Sequence, residues 1–272
     1  MGAYDGIYLF ADMDGTLLND QKTIPEVNLR ALEKFTAEGG MFGMATGRSP
    51  HNLSFFPEVL PLTAPSILDN GGVLYDVKNR EYMECTYIPR EKSIGLVNRI
   101  IEIDPASSVQ VYTCSARYQV NLDPQRIDDP LVALEGIYEP LCRAEDIREE
   151  WIKIVLCLPE EQLKVMLDTL DLNEIRKDYS TVHSGKIYFE FLCHGMTKGN
   201  GIAALRKNGN NVKKILAIGD YYNDAEMLRI ADVSAAPVNA EEDIKAMVNY
   251  VTCDNNQGAV ADFLRMALGM EI

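Results

Sequence analysis

The sequence predicts an α/β fold in which a parallel sheet is interrupted by an α+β insertion. Three observations carry that reading. Short apolar runs at residues 6–10, 41–45 and 65–68 alternate with amphipathic stretches, the rhythm of βαβ units. From about residue 88 to 187 the rhythm changes to strands spaced for hairpins, with helices beside them. From residue 197 the βα rhythm returns.

Each element has a local reason. Gly6-Ile-Tyr-Leu-Phe10 is apolar, aromatic and β-branched, and its length suits a buried strand. Residues 25–38 read as a helix, with Pro25 at the start, a stripe of Leu29, Leu32 and Phe35, and a stop at Gly39-Gly40. A second strand follows at 41–45, a helix from about Ser49-Pro50, and a third strand at 65–68. Val73–Tyr75 and Glu81–Tyr87 read as a hairpin across Lys78-Asn79. In the insertion, residues 89–103 and 159–172 read as helices. Strands are expected at 109–112, 116–122, 151–158, 180–183 and 186–193, with a polar irregular stretch at 123–150. Beyond it come a helix at 197–207, a strand at 214–218, a helix at 223–230 and a short strand at 233–235. A helix at 240–249, an edge strand at 251–252 and a helix at 258–268 complete the pattern. Residues 1–87 and 188–272 thus read as one discontinuous, Rossmann-like core, and 88–187 as the inserted domain.

Composition limits the partners. The 272 residues carry 26 basic and 41 acidic side chains, a net charge of −15. Nucleic acid and anionic membrane both need basic surface, so neither is expected. No apolar run approaches the roughly 18 residues of a membrane span. The N-terminal Met-Gly-Ala-Tyr-Asp-Gly lacks the basic and apolar regions of a signal peptide. Six scattered cysteines without a Cys-x-x-Cys pair read as reduced thiols, and the expected location is cytoplasmic. His51, His183 and His194 lack the spacing of a histidine metal site. The expected partner is a small molecule, and the expected state a monomer or weak homo-oligomer.

Ligands of open α/β sheets bind beyond the carboxyl ends of the strands. The first strand delivers Asp12 and Asp14 there, two apart and therefore on one side of an extended chain. Gly15 then permits a sharp turn. The second strand delivers Thr46-Gly47-Arg48, the third Asn70-Gly71-Gly72, and the strand at 214–218 delivers Gly219-Asp220 and Asn223-Asp224. Lys198 opens the preceding helix. Two adjacent carboxylates repel unless a cation or a shared proton intervenes, and Mg²⁺ suits oxygen donors. The set suits phosphoryl transfer. Asp12 can attack phosphorus, Asp14 can protonate the leaving oxygen and then activate water, and Asp220 can bind the metal. Thr46, Lys198 and the N–H groups of Met13 and Gly47 can hold the phosphoryl oxygens.

Asp12-Met-Asp-Gly-Thr16, Thr46-Gly-Arg48, Asn70-Gly-Gly72, Lys198-Gly199 and Gly219-Asp-x-x-Asn-Asp224 together resemble the motifs of the haloacid dehalogenase superfamily. More narrowly they resemble its Cof-type sugar-phosphatase branch, which carries a large cap inserted after the third strand. The resemblance implies Asp12 as nucleophile and Asp14 as general acid/base. It implies Mg²⁺ held by Asp12, the main-chain carbonyl of Asp14, and Asp220, with Asp224 supporting them. Thr46 and Lys198 would hold the phosphoryl group, with Asn223 nearby. Arg48 would either touch substrate or brace its loop. One departure is Ser234-Ala-Ala-Pro-Val-Asn-Ala240, with Pro237 where the family usually has glycine; an altered loop and an intact site are expected.

The implied activity is hydrolysis of a small phosphorylated metabolite, such as a sugar phosphate. A phosphomutase of the same superfamily is one alternative. A receiver-type phospho-aspartate switch is another, but receivers are about half as long and lack the Asp-x-Asp-Gly-Thr arrangement. Tyr221, Tyr222 and His183 read more simply as packing residues than as site residues.

Overall fold

Leu9, Phe10, Ala11, Leu216, Ala217 and Ile218 are all wholly buried, and they mark the centre of the first sheet. Strands covered on both faces need unbroken apolar runs, and that is what these two segments supply. The computed structural model describes residues 2–53, 56–122, 141–207 and 211–271. The chain divides into two compact units, Met1–Glu84 with Thr197–Ile272, and Cys85–Met196.

In the first unit five parallel strands lie in the order Tyr250–Thr252, Val233–Pro237, Lys214–Ile218, Ile7–Ala11, Met41–Met44. The chain moves outward from Ile7–Ala11 to Met41–Met44 on one side, and later from Lys214–Ile218 outward on the other. The loops leaving these two central strands therefore run apart, which opens a crevice at their carboxyl ends. Helix Glu26–Ala37 begins after Pro25 and packs against helix Ala259–Leu268. The buried Asn28 joins them, donating to the Leu17 carbonyl (3.3 Å) and accepting from the Ala261 N–H (2.9 Å).

Several expectations change in three dimensions. Among the described residues, Ser66–Leu68 meets the parallel sheet through an isolated bridge of Ala45 to Ile67, not a full ladder. Its ladder is antiparallel to Val73–Asp76, within a separate sheet completed by Glu81–Cys85. The helix expected from residue 49 is, among the described residues, a turn at Pro50–Asn52 and a single helical turn at Phe56–Val59. The helix expected over 240–249 contracts to Glu242–Lys245. Most of the stretch expected to be irregular lies outside the described residues.

The second unit is a five-stranded antiparallel sheet in the order Arg117–Asn121, Ser108–Tyr112, Lys153–Cys157, Tyr188–Cys193, Tyr179–Gly185. Helices Arg90–Ile103 and Glu160–Thr169 cover one face, where Val97, Ile100, Leu163 and Met166 meet Val111, Ile154, Leu156 and Phe191. The two compact units divide at 84/85 and 196/197, where the sequence reading expects 87/88 and 187/188. Tyr188–Cys193 pairs on both edges with strands of the inserted sheet, so its backbone hydrogen bonds belong there. Among the described residues no helix is long and apolar enough to cross a membrane.

One contact in the first unit seats the helix that carries Lys198. Gly71 has φ +101°, and a Cβ there would lie 2.0 Å from the Thr197 carbonyl oxygen. Gly71→Ala is expected to destabilise the protein by roughly 2 kcal/mol or more, through left-handed strain and this clash. A lower midpoint in urea unfolding at an unchanged slope would report it. A midpoint equal to the parent's would show that the turn does not depend on this close approach.

Candidate active site

The site forms where Ile7–Ala11 and Lys214–Ile218 end side by side. The Asp12 N–H donates to the Ile218 carbonyl at 2.9 Å, so the ladder extends one residue past the strand and holds Asp12 at its edge. Gly15, at φ +87°, turns the chain there. A Cβ on it would lie 2.5 Å from Asp220 Oδ2, so only glycine lets the two loops approach this closely. The Thr16 hydroxyl donates to Asp220 Oδ1 at 2.7 Å.

Lys198 is the first residue of helix Lys198–Lys207 and is wholly buried. Its ammonium donates to Asp12 Oδ1 and to Asp224 Oδ1, each at 2.6 Å. An ammonium has three N–H donors, so one remains. Asp224 Oδ2 accepts from the N–H groups of Asp220 (3.0 Å) and Tyr221 (3.1 Å), so both of its oxygens are engaged.

One carboxylate oxygen from each of Asp12, Asp220 and Asp224 lies within 4.8 Å of the others. With all three carboxyls ionised, one ammonium would leave two negative charges uncompensated. Burial, opposed by Lys198 and reinforced by Asp224 and Asp220, holds the Asp12 carboxyl well above the usual range. Burial and the Asp224 charge push Asp220 up to about 6. Burial alone would lower the Lys198 pKa, but the Asp12 and Asp224 charges more than reverse it, and the ammonium stays charged. A converging set of hard oxygen donors with this excess charge fits a divalent ion such as Mg²⁺. Because the oxygens of Asp224 are engaged, Asp12 and Asp220 are the better placed to reach the ion with their side chains.

Asp14 stands apart from this cluster. Its Oδ1 accepts from Lys22 Nζ (2.8 Å) and Arg48 Nη2 (3.1 Å), and its Oδ2 from Arg48 Nε (3.1 Å). Burial raises its pKa, but Arg48 and then Lys22 outweigh that effect, so Asp14 is held below its ordinary value. Arg48 also donates to the Asn52 carbonyl (3.4 Å) and lies over the Phe56 ring at 5.6 Å. The buried Thr46 hydroxyl accepts from the Arg48 N–H (3.2 Å) and retains a proton to donate. Asn223 donates to Asn70 Oδ1 at 3.0 Å, and Asn70, at φ +53°, lies against Gly47. Met13 is wholly buried in the loop, its carbonyl accepting from the Leu18 N–H.

The structure thus brings Asp12, Asp220, Asp224 and Lys198 into one cluster, links Gly47 to Asn223 through Asn70, and pairs Asp14 with Arg48. Sequence reasoning missed two supporting side chains. Thr16 lay inside the quoted motif without a role, and Lys22 sits in a polar turn that carries no signal. Asn239, in the loop that departs from the family pattern, donates to the Gly15 carbonyl at 2.8 Å. Pro237 is absorbed as the last residue of its strand, opposite Thr252. His183 is exposed in the second unit, its ring edge-on to Phe189.

A family model described as haloacid dehalogenase-like hydrolase matches residues 9–264. The chain is similar to the 5-amino-6-(5-phospho-D-ribitylamino)uracil phosphatase YitU of Bacillus subtilis (strain 168). The two are 27% identical over 95% of this chain and 96% of that protein. It is also similar to the pyridoxal phosphate phosphatase YbhA of Escherichia coli (strain K12), at 25% identity over 93% of this chain and 95% of that one. In fold it matches a haloacid dehalogenase-like hydrolase from Bacteroides thetaiotaomicron. The TM-score is 0.83, at 21% identity, over 97% of this chain and 100% of that chain.

The carboxylate cluster sets a pH dependence. A carboxyl raised on folding stabilises the protein below its unfolded pKa of about 3.9, and that stability is lost as pH climbs through the folded value. For Asp220 the window ends near about 6, and Asp12 extends it upward. Metal-free protein is therefore expected to lose stability from about pH 4 to 7, and the Tm gain on adding Mg²⁺ to grow across the same window. Asp220→Asn should raise metal-free stability at neutral pH, by on the order of 2 kcal/mol, and remove the Mg²⁺ gain. An equal Mg²⁺ gain at pH values near 5 and 7.5 would show that the ion does not replace protons in this cluster.

Proposed function

The chain belongs to the haloacid dehalogenase-like hydrolases, and on that premise we propose that it is a cytoplasmic, Cof-type phosphatase acting on a small phosphorylated metabolite through an aspartyl-phosphate on Asp12. The observation that carries this reading is the Lys198 ammonium held between Asp12 and Asp224, with Asp220 in the same cluster. Lys198 fixes one oxygen of Asp12, which orients the carboxylate and leaves the other oxygen to attack phosphorus. Mg²⁺ bound by Asp12, the Asp14 main-chain carbonyl and Asp220 would neutralise charge on the phosphoryl group. Thr46, the remaining N–H of Lys198, the N–H groups of Met13 and Gly47, and Asn223 supply donors to the phosphoryl oxygens. Asp224 braces Lys198 and the loop that carries Asp220.

Asp14 serves two half-reactions. Held ionised by Arg48 and Lys22, it is in the form that takes a proton from the attacking water. To protonate the leaving oxygen first, it has to move off the two cations and take up a proton from solvent. The contacts of Arg48 support bracing of Asp14 over contact with substrate.

The proposed substrate class is supported by the relatives, which are named for phosphate esters of a ribitylaminouracil and of pyridoxal. A screen with those two esters and a set of hexose and pentose phosphates should find at least one hydrolysed in Mg²⁺ and none after chelation. Asp12→Asn is expected to lower kcat by orders of magnitude with an unchanged circular dichroism spectrum. Retention of more than about a tenth of kcat, a loss of only ~1.4 kcal/mol, would rule out the covalent route.

Asp14→Asn should preserve Mg²⁺ affinity, because the proposed ligand is its backbone carbonyl. Its first-step burst is expected to fall far more with an alkyl phosphate than with an activated aryl phosphate, whose leaving group needs no proton. Equal losses in that burst would remove Asp14 as the acid.

A further inference from the structure

Cys85 and Cys114 face each other at an Sγ–Sγ distance of 3.5 Å, inside the second unit. They are 29 residues apart in sequence, so this proximity is made by the fold. Both thiols are half-buried, so small oxidants can reach them. Cys114 sits in the turn between Ser108–Tyr112 and Arg117–Asn121, and that turn is braced on both sides. The Thr113 and Ser115 hydroxyls both donate to Glu149 Oε2 at 2.5 Å, and the Tyr118 hydroxyl donates to Glu149 Oε1 at 2.8 Å. The Tyr87 hydroxyl lies 3.6 Å from Cys114 Sγ, where it can donate to a thiolate. Cys85 ends strand Glu81–Cys85, at the point where the chain passes from the first unit into the second.

We propose that Cys85 and Cys114 form a reversible oxidation site that takes small hydroperoxides and closes to a disulfide. A disulfide needs an S–S separation of about 2.05 Å, so the sulfurs have to approach by roughly 1.5 Å, within the reach of side-chain rotation. The chemistry takes two steps. The Cys114 thiolate attacks the outer peroxide oxygen, the O–O bond breaks, and the leaving oxygen takes a proton to depart as an alcohol, or as water from hydrogen peroxide. Cys114 is then a sulfenic acid. The Cys85 sulfur attacks the Cys114 sulfur, the S–O bond breaks, and the hydroxide leaves as water with the Cys85 proton. Two thiols lose two electrons and two protons, and the peroxide gains them. The bond fastens the segment that enters the second unit to that unit's own sheet. In a reducing compartment such a bond is transient, which suits a sensor better than a structural staple.

The test treats the folded full chain with hydrogen peroxide, blocks remaining thiols with iodoacetamide, and maps the peptides by mass. A Cys85–Cys114 linked peptide should appear before any other cysteine is consumed and vanish on reduction with dithiothreitol. Backbone amides of residues 86–88 should exchange more slowly in the oxidised protein. In Cys85→Ser no linked peptide should form, and Cys114 should instead pass to sulfinic and sulfonic acid. These readouts involve no turnover, so they stand or fall independently of the phosphatase reading. The proposal is overturned if both thiols remain alkylatable while other cysteines oxidise, if Cys114 links to a different cysteine, or if the linked peptide forms without slowing exchange at 86–88.

Discussion

A buried ammonium between two buried carboxylates is the constraint on which the first unit's architecture rests. Lys198 is wholly enclosed, and an isolated charge there would cost several kcal/mol. Its bonds to Asp12 and Asp224 offset that cost only if all three groups hold their positions closely. Each therefore comes from a different rigid element. Asp12 extends the central strand, Lys198 opens a helix, and Asp224 ends the turn Tyr222–Asp224.

The same requirement explains the small residues around the cluster. A side chain at Gly15 would strike Asp220, one at Gly219 would strike Asp224, and one at Gly71 would strike the backbone before Lys198. Loops that leave neighbouring strands in opposite directions open the crevice, and these glycines let the loops draw close around it. The arrangement is electrostatically incomplete, since one ammonium faces three carboxylates. A protein that carried this deficit without use would be less stable than one that removed it. Such a deficit fits a site that could hold a cation.

Separation of the two acids is equally informative. Asp12 and Asp14 leave the same strand end, yet their environments push them in opposite directions. Burial and neighbouring carboxylates raise Asp12, whereas Arg48 and Lys22 lower Asp14. Asp14 is thereby kept ionised, whereas a cation beside Asp12 would be needed to bring its carboxyl down to the ionised form.

The parallel core, the inserted α+β unit and the cluster of Asp12, Lys198, Asp220 and Asp224 were legible in the sequence. Apolar runs report burial, strand ends report where polar groups must emerge, and glycines mark where the backbone turns. What the sequence left open was decided by contacts between distant segments. Pairing on both edges put the whole of Tyr188–Cys193 in the inserted sheet, beyond the boundary expected at 187/188. Competition for backbone partners drew Ser66–Leu68 into an antiparallel ladder with Val73–Asp76. Lys22 became a partner of Asp14 because a turn folded it there, and Cys85 met Cys114 because a strand and a turn converged. A sequence carries the propensity of each segment and the chemistry of each side chain. Which segments meet is settled only when all of them bury their surfaces and satisfy their hydrogen bonds at once.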